Sequence, residues 1–130
     1  MIEFEENLMA EKYGYTECDW DAAKEEMRQI LIARARVRGM IPYSALCEGV
    51  RRIRIEPHSF ALAAMLGEIS MSESADGRGM LSSLVVHKEG DMQPGPGFFE
   101  LAASLGRDTR NILKCWVEEV KKVYAYWGKH

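Results

Sequence analysis

The chain has 130 residues, of which 47% are hydrophobic and 28% charged, and this composition is typical of one globular domain. Its formal net charge of −3 at pH 7 argues against affinity for nucleic acid over the whole surface. No apolar stretch approaches the roughly 18 residues of a membrane span. The N-terminus also lacks the basic start and apolar core of a signal peptide. We therefore expect a cytoplasmic protein that does not contact a membrane.

The three cysteines, Cys18, Cys47 and Cys115, stand far apart and form no CxxC or Cys/His cluster. Neither a disulfide framework nor a zinc site is indicated. We interpret the three as reduced thiols that pack as small apolar side chains. The sequence also has no P-loop, nucleophile-elbow or HExxH motif, and we expect no cofactor.

Charge is distributed unevenly along the chain. Residues 1–27 hold nine acids against Lys12 and Lys24, whereas residues 28–55 hold seven arginines against Glu48 alone. Because guanidinium groups match phosphate oxygens in bidentate pairs, the second segment is a candidate anion-binding surface. The alternative is that these arginines form ion pairs with the acidic N-terminal segment and with Glu48 or Glu56.

Two helices are predicted in the first part of the chain. A short acidic helix over residues 3–13 is expected to end at the Tyr13-Gly14-Tyr15 turn. A longer helix is predicted over residues 20–38, because apolar side chains recur every three to four positions. Asp19 is its expected N-cap, and Gly39 stands where a C′ glycine would end it.

Two further helices are predicted after a short extended segment at Ile41-Pro42. One covers residues 43–52. The other opens at Pro57, covers residues 57–69 and extends toward Ala75, with Glu56, His58 or Ser59 as its cap. The spacing of Ala63 and Gly67 predicts close approach of a neighbouring helix.

The second half of the chain begins with the one predicted strand, over residues 80–88, which is β-branched and bounded by turn residues. Residues 91–97, DMQPGPG, are predicted to form an ordered loop that excludes helix. A short helix over 98–105 follows. The last helix begins near Asp108 or Thr109, ends at Gly128 and is strongly amphipathic, and apolar surface left over on it would make a dimer interface.

The order helix, short strand, helix, helix, strand and Gly/Pro-rich loop is typical of a winged-helix domain, in which the third helix docks in a DNA groove and the loop forms the wing. We expect a mainly helical α+β fold in a single domain. An acidic N-terminal extension covers residues 1–18, and a winged-helix-like core with a small β element covers 19–106. The long amphipathic C-terminal helix covers 107–130.

Three runs in the middle of the chain carry a resemblance: IPYSAL at 41–46, the segment 61–67, and LVVHK at 84–88 with the Gly-rich loop after it. Over residues 40–105 they resemble the DNA-binding half of alkylguanine-DNA alkyltransferase-like proteins, which implies binding to duplex DNA. The reactive Pro-Cys-His-Arg motif of that family is absent around residues 82–88, so alkyl transfer to a cysteine is not implied. GRGMLSSLVVHK and PGPGFFELA also resemble stretches of small uncharacterised bacterial proteins, which imply no activity.

The candidate site combines phosphate-binding arginines with residues of the wing loop. They are Arg34, Arg36, Arg38, Arg51, Arg52 and Arg54, with Gln93, Gly95 and Gly97. If four arginines neutralise phosphates, the logarithm of the binding constant falls with the logarithm of salt concentration at a slope of about −3.6. The predicted third helix lacks the Arg, Asn or Gln side chains that read bases in the major groove, so packing is its expected role.

The leading hypothesis is a small non-catalytic nucleic-acid-binding module whose partner is duplex DNA. One alternative is a protein-interaction module, such as an adaptor, an inhibitor or an immunity-type protein, whose acidic or basic face binds another protein or a second copy. An enzyme is a further alternative, since His58 beside Glu56, or His87 near Glu89 and Asp91, can be drawn as an acid/base pair. Neither pair makes a metal site alone, because two ligands do not suffice.

Overall fold

Helices dominate the fold, and short strands join them. The computed structural model describes residues 11–90 and 92–130. In chain order the elements are β1 (Glu11–Lys12), β2 (Tyr15–Thr16), α1 (Glu17–Arg36), β3 (Ile41–Pro42), α2 (Tyr43–Gly49), α3 (Phe60–Ala75), a 3-10 helix (Leu81–Leu84), β4 (Val85–Val86), α4 (Pro96–Ser104) and α5 (Ile112–Trp127). The prediction of a mainly helical α+β fold is confirmed.

The first described residues form a hairpin rather than the end of a helix. β1 and β2 pair in antiparallel fashion, and Tyr13 and Gly14 between them both have positive φ, 55° and 89°. The helix predicted over residues 3–13 otherwise lies outside the described residues. The ring of Tyr13 stacks on Trp20, with 5.1 Å between ring centroids, and so fastens the hairpin to α1.

Helix α1 is the central element, and the helical spacing that predicted it is confirmed. Its buried residues recur at three- and four-residue intervals and include Trp20, Met27 and Leu31. The predicted caps were wrong by a few residues. Thr16 is the N-cap, because its Oγ1 accepts the amide hydrogen of Asp19. At the other end Arg38, with φ 54°, adopts the left-handed conformation that the prediction gave to Gly39.

The main core lies where α1, α3, α5 and the 3-10 helix meet. Its fully buried side chains include Leu46 on α2, Met65 on α3, and Leu81 and Leu84 on the 3-10 helix. A smaller apolar cluster forms beside it under α4 and α5, from Met80, Phe98, Ala102 and Cys115. Among the described residues, no helix combines the length and apolarity that crossing a membrane requires.

The strand predicted over residues 80–88 was wrong for most of its length. Leu81–Leu84 form a 3-10 helix, and only Val85–Val86 is a strand. These residues are all buried, so the run has no alternation of faces, and the amide of Ser82 donates to the Ser70 hydroxyl instead of to a neighbouring strand. β4 pairs with β3 in parallel, Ile41 opposite Val85. This pairing places the end of β4 beside the start of α2.

The remaining helices differ from prediction at their ends. α2 ends at Gly49, so Arg51 and Arg52 follow the helix instead of closing it. α3 begins at Phe60 with Ser59 as its cap. α4 begins at Pro96, so the prediction that residues 91–97 exclude helix was wrong. Proline fits the first turn of a helix, because the N–H that it lacks would have no acceptor within the helix. The long helix α5 begins later than expected, at Ile112 with Asn111 as its cap.

Two buried carboxylates tie the helices together. Glu73 on α3 is 1% exposed and accepts hydrogen bonds from Arg28 on α1 and, through both carboxylate oxygens, from Arg78. Glu119 on α5 is 2% exposed and accepts two hydrogen bonds from Arg107. We call these two groups the carboxylate clamps. Sequence analysis had assigned no role to Arg78 or Arg107.

Glu119 also accepts the amide hydrogen of Met80, at 2.8 Å. Arg107 in turn donates to the Ser74 hydroxyl on α3, at 2.7 Å. The Glu119 clamp therefore joins α5, α3 and the turn that leads into the 3-10 helix.

Candidate binding site

Three of the six candidate arginines lie together in residues 50–59, which we call the arginine segment. The amides of Arg51 and Arg52 both donate to the Glu26 carboxylate on α1, at 3.2 and 2.8 Å, and hold the segment in place. The Arg52 guanidinium pairs with Asp19, at 2.8 Å. The hydrogen bond from Arg52 lowers the pKa of Asp19 below its usual value, so this pair is charged at neutral pH.

Arg54 is the most open cation of the arginine segment. Its side chain is 92% exposed, and its Nε lies 3.3 Å from a carboxylate oxygen of Glu56. Within residues 11–90 and 92–130, no ion pair involves the Arg51 side chain, which is also exposed. Arg51 and Arg54 are therefore the two cations of this segment that a ligand can reach most easily.

The other three candidate arginines lie at the far end of α1. Arg36 lies over the Trp127 ring and donates to the His130 carbonyl, and Arg34 donates to the Met40 carbonyl. Glu26, which binds the backbone of the arginine segment, lies eight residues before Arg34 and ten before Arg36 on α1, a rise of about 12 to 15 Å. Since screening in physiological salt acts over about 8 Å, the two arginine groups act as separate charge groups. Arg38 belongs to the far group.

A pocket of about 690 Å³ opens between α3 and α4. Its apolar wall is formed by Leu62 and Leu66 on α3 and by Phe98 and Leu101 on α4. Gly67 lies between them, and a Cβ placed on it would meet nothing within 4 Å. The close helix approach predicted from Ala63 and Gly67 is therefore wrong, because the small residues border open space instead.

Tyr43 and His87 form the polar end of this pocket. Their rings lie 5.1 Å apart, and the amide of Gly95 donates to the Tyr43 oxygen, at 2.9 Å. Burial raises the pKa of Tyr43, and the hydrogen bond from Gly95 opposes this only in part. The phenol keeps its proton at neutral pH and has a hydrogen to donate.

Two of the three candidate wing residues, Gly95 and Gly97, border the same pocket. Gln93 accepts the amide hydrogen of His87 through its carbonyl, at 3.0 Å, and so closes the loop after β4. Gly95 is the N-cap of α4, and Gly97 lies in the first turn of that helix. A side chain at residue 95 would place its Cβ only 3.4 Å from Nε2 of His87, so glycine permits the close approach of loop and ring.

A second depression of about 470 Å³ adjoins the pocket at Pro57, which lines both. Arg51 and Arg54 lie in its wall, together with Cys47. Burial, with contributions from Glu56 and Glu48, raises the pKa of Cys47 to about 11. The thiol is therefore protonated and is a poor nucleophile.

Among the described residues considered for catalysis, no hydrogen bond or ion pair joins His58 to Glu56 or His87 to Glu89. His58 and His87 both line the pocket, whereas Asp91 lies outside the described residues. In the part of the chain that the structure describes, no three His, Cys, Asp or Glu side chains gather where a metal ion could bind. The arrangement is suited to holding a ligand with a flat apolar body and an acceptor atom near Tyr43.

Sequence reasoning found the arginine segment and the loop but missed the pocket itself. Tyr43, Phe98 and Leu101 were interpreted only as parts of helices, because their contacts join residues far apart in the chain. The small residues at 63 and 67 were the one available signal. Comparisons of the chain with protein-family models, with curated proteins and with solved structures find no match.

Proposed function

We propose that this chain is a small non-catalytic nucleic-acid-binding module. The observation that carries the proposal is the position of Pro57, which borders both the pocket and the arginine-lined depression. Cations that suit phosphates and a ring-lined cavity that suits a base therefore lie side by side. Proteins that bind nucleic acid at unstacked bases combine these two features.

Two elements of the predicted winged-helix core border this site. In the winged-helix interpretation α3 is the third helix and residues 91–97 are the wing, and the pocket is lined by Leu62 of α3 and by Gly95 and Gly97 of the predicted wing. Arg51 and Arg54 then contact phosphates beside the first turn of α3. Arg52 joins them when it leaves Asp19. Because Arg34 and Arg36 lie about 12 to 15 Å along α1 from Glu26, and Arg38 follows the end of that helix, we place these three outside the primary contact.

The test is binding of fluorescently labelled oligonucleotides, followed by anisotropy over a range of salt concentrations. We expect binding at ~50 mM salt that weakens as salt rises, since each phosphate contact adds about −0.7 to −0.9 to the logarithmic slope. The double variant Arg51→Ala, Arg54→Ala should reduce that slope by about 1.4 to 1.8.

A matched control removes two arginines from the far group, as Arg34→Ala with Arg38→Ala, and has the same change of net charge. We expect it to leave both the affinity and the salt slope nearly unchanged. No binding of any oligonucleotide at ~50 mM salt would overturn the proposal. If both double variants lose the same affinity, binding depends on the charge of the whole surface instead of on this site.

A second function, binding to another protein or to a second copy, is favoured by one separate observation. Ile112, Leu113 and Val117 near the start of α5 remain 49%, 51% and 39% exposed, although they are apolar. Contiguous exposed apolar side chains are typical of interaction surfaces. Analytical ultracentrifugation at several concentrations tests self-association. A dimer that Leu113→Glu dissociates would support this function.

A further inference from the structure

The most exposed large apolar side chain in the described part of the chain is Phe60, at 86%. It contributes almost nothing to the core, yet its backbone is firmly held. Ser59, the residue before it, accepts the amide hydrogen of Leu62 and donates to the carbonyl of Glu56. A phenyl ring is thus presented to solvent from the rigid first turn of α3.

The surroundings of Phe60 join the two parts of the proposed site. Ser59, Leu62 and Ala63, its neighbours along the helix start, line the pocket. Residues 51 and 54, which line the adjoining depression, are the reachable arginines of the same segment. Phe60 itself lines neither cavity, but it lies three residues after Pro57, which lines both.

The rest of α3 does not suit a groove of duplex DNA. Between Phe60 and Ala75 the helix contains no Arg, Lys, His, Asn or Gln. Such a helix has none of the long donor side chains that read base edges or contact phosphates from within the major groove. Its two carboxylates, Glu68 and Glu73, are already bound by lysines and arginines. The exposed first turn of α3 instead presents the aromatic ring of Phe60, which is not a hydrogen-bond donor.

We infer that the site takes single-stranded nucleic acid and that Phe60 is the ring on which one base stacks. This inference rests on the proposed function. A single strand presents the faces of its bases, and an exposed aromatic ring beside arginines binds such faces without regard to sequence. Arg51 and Arg54 contact the backbone of the strand, and the neighbouring base lies over the pocket.

The test compares one labelled oligonucleotide of mixed sequence as a single strand and as a perfect duplex, at the same low salt concentration. The full chain is expected to bind the single strand more tightly. Phe60→Ala should weaken single-strand binding by about 5-fold to 150-fold, the range that loss of one stacked base implies. Phe60→Trp should retain affinity, and its added indole fluorescence should be quenched when strand binds.

Met71→Ala is the matched control, since Met71 is a second exposed apolar side chain on α3, 53% exposed and three turns away. It should leave affinity unchanged. Tighter binding of the duplex, or single-strand binding that Phe60→Ala does not weaken, overturns this inference and leaves the proposed function intact. Failure of the protein to bind either form overturns both. Because Phe60 is exposed, circular dichroism should show that all three variants fold.

Discussion

The arginines of the carboxylate clamps and those of the arginine segment differ in how much water surrounds their partners. Arg28, Arg78 and Arg107 bind carboxylates that are 1% to 2% exposed. In contrast, Arg54 is 92% exposed, and its partner Glu56 is 66% exposed. A buried ion pair is costly to break because it leaves an unpaired charge, whereas an exposed pair is exchanged readily for another anion. The clamps therefore hold the fold, and the segment is available for binding.

This comparison also shows why a count of arginines along the sequence does not locate a binding surface. Arg28 lies at the start of the arginine-rich stretch but belongs to a clamp with Glu73. Arg78 and Arg107 lie outside that stretch, in the loops that follow α3 and α4. An arginine has a structural role where its carboxylate partner is buried, and it is available to a ligand where that partner is exposed.

The largest expected effect comes from breaking a clamp. Glu119→Gln removes the charge that Arg107 binds and weakens the acceptor for the amide of Met80. Loss of one partner from a buried pair costs about 3–5 kcal/mol of unfolding free energy. Urea denaturation followed by circular dichroism measures this loss.

Glu118→Gln is its control, since Glu118 is adjacent in sequence but pairs with Lys114 in solvent, at 4.0 Å. It should change stability little. Equal losses in the two variants would show that burial of the carboxylate does not distinguish the clamps from exposed pairs.

A smaller effect on the unfolding free energy is expected from a change in pH. Burial alone would raise the pKa of Glu73 and Glu119, but hydrogen bonds from arginines outweigh it, and both pKa values lie below the ordinary 4.5. Stability from such a group is complete above its unfolded pKa and is lost as pH falls through the folded value. Below pH 4.5 we therefore expect the unfolding free energy to fall, by at most about 1.4 kcal/mol per pH unit for each carboxyl.

Urea titrations between about pH 7 and pH 3 measure that dependence. Glu119→Gln should make the curve shallower, because one carboxyl no longer takes up a proton. An unchanged curve in this variant would mean that other groups account for the loss of stability in acid.

The smallest expected effect lies in the arginine segment. Asp19→Asn removes the charged partner of Arg52 and leaves its guanidinium available for phosphate. We expect affinity for single-stranded oligonucleotide to rise by about twofold to fivefold, the range typical of an exposed pair. Anisotropy titration measures it. A fall in affinity, or no change, would place Arg52 outside the interface.

The long amphipathic helices could be predicted because their periodicity is local. The spacing of Trp20, Met27 and Leu31 was enough to predict α1 within a few residues of its ends. The strand at residues 80–88 could not be corrected from sequence, because a run that is buried on all sides has no alternating pattern to distinguish strand from 3-10 helix. Its conformation depends on Ser70 and on β3, which lie elsewhere in the chain.

The candidate site was predicted only in part for the same reason. The arginine segment is contiguous in sequence and was found. The pocket depends on the hydrogen bond from Gly95 to Tyr43, across 52 residues, and the clamp on Glu73 depends on Arg28, across 45. No pattern in one sequence links such pairs.

The parallel pairing of β3 with β4 has a consequence for how the pocket arises as the chain folds. Residues 43–84 intervene between the two strands, so the strands meet only after a long stretch of polypeptide has closed on itself. Closure of such a loop is slow compared with formation of a local helix. Tyr43 and His87 flank this junction, so we expect the polar end of the pocket to form only when the two strands pair. Acquisition of ligand affinity during refolding is therefore expected to coincide with the last kinetic phase.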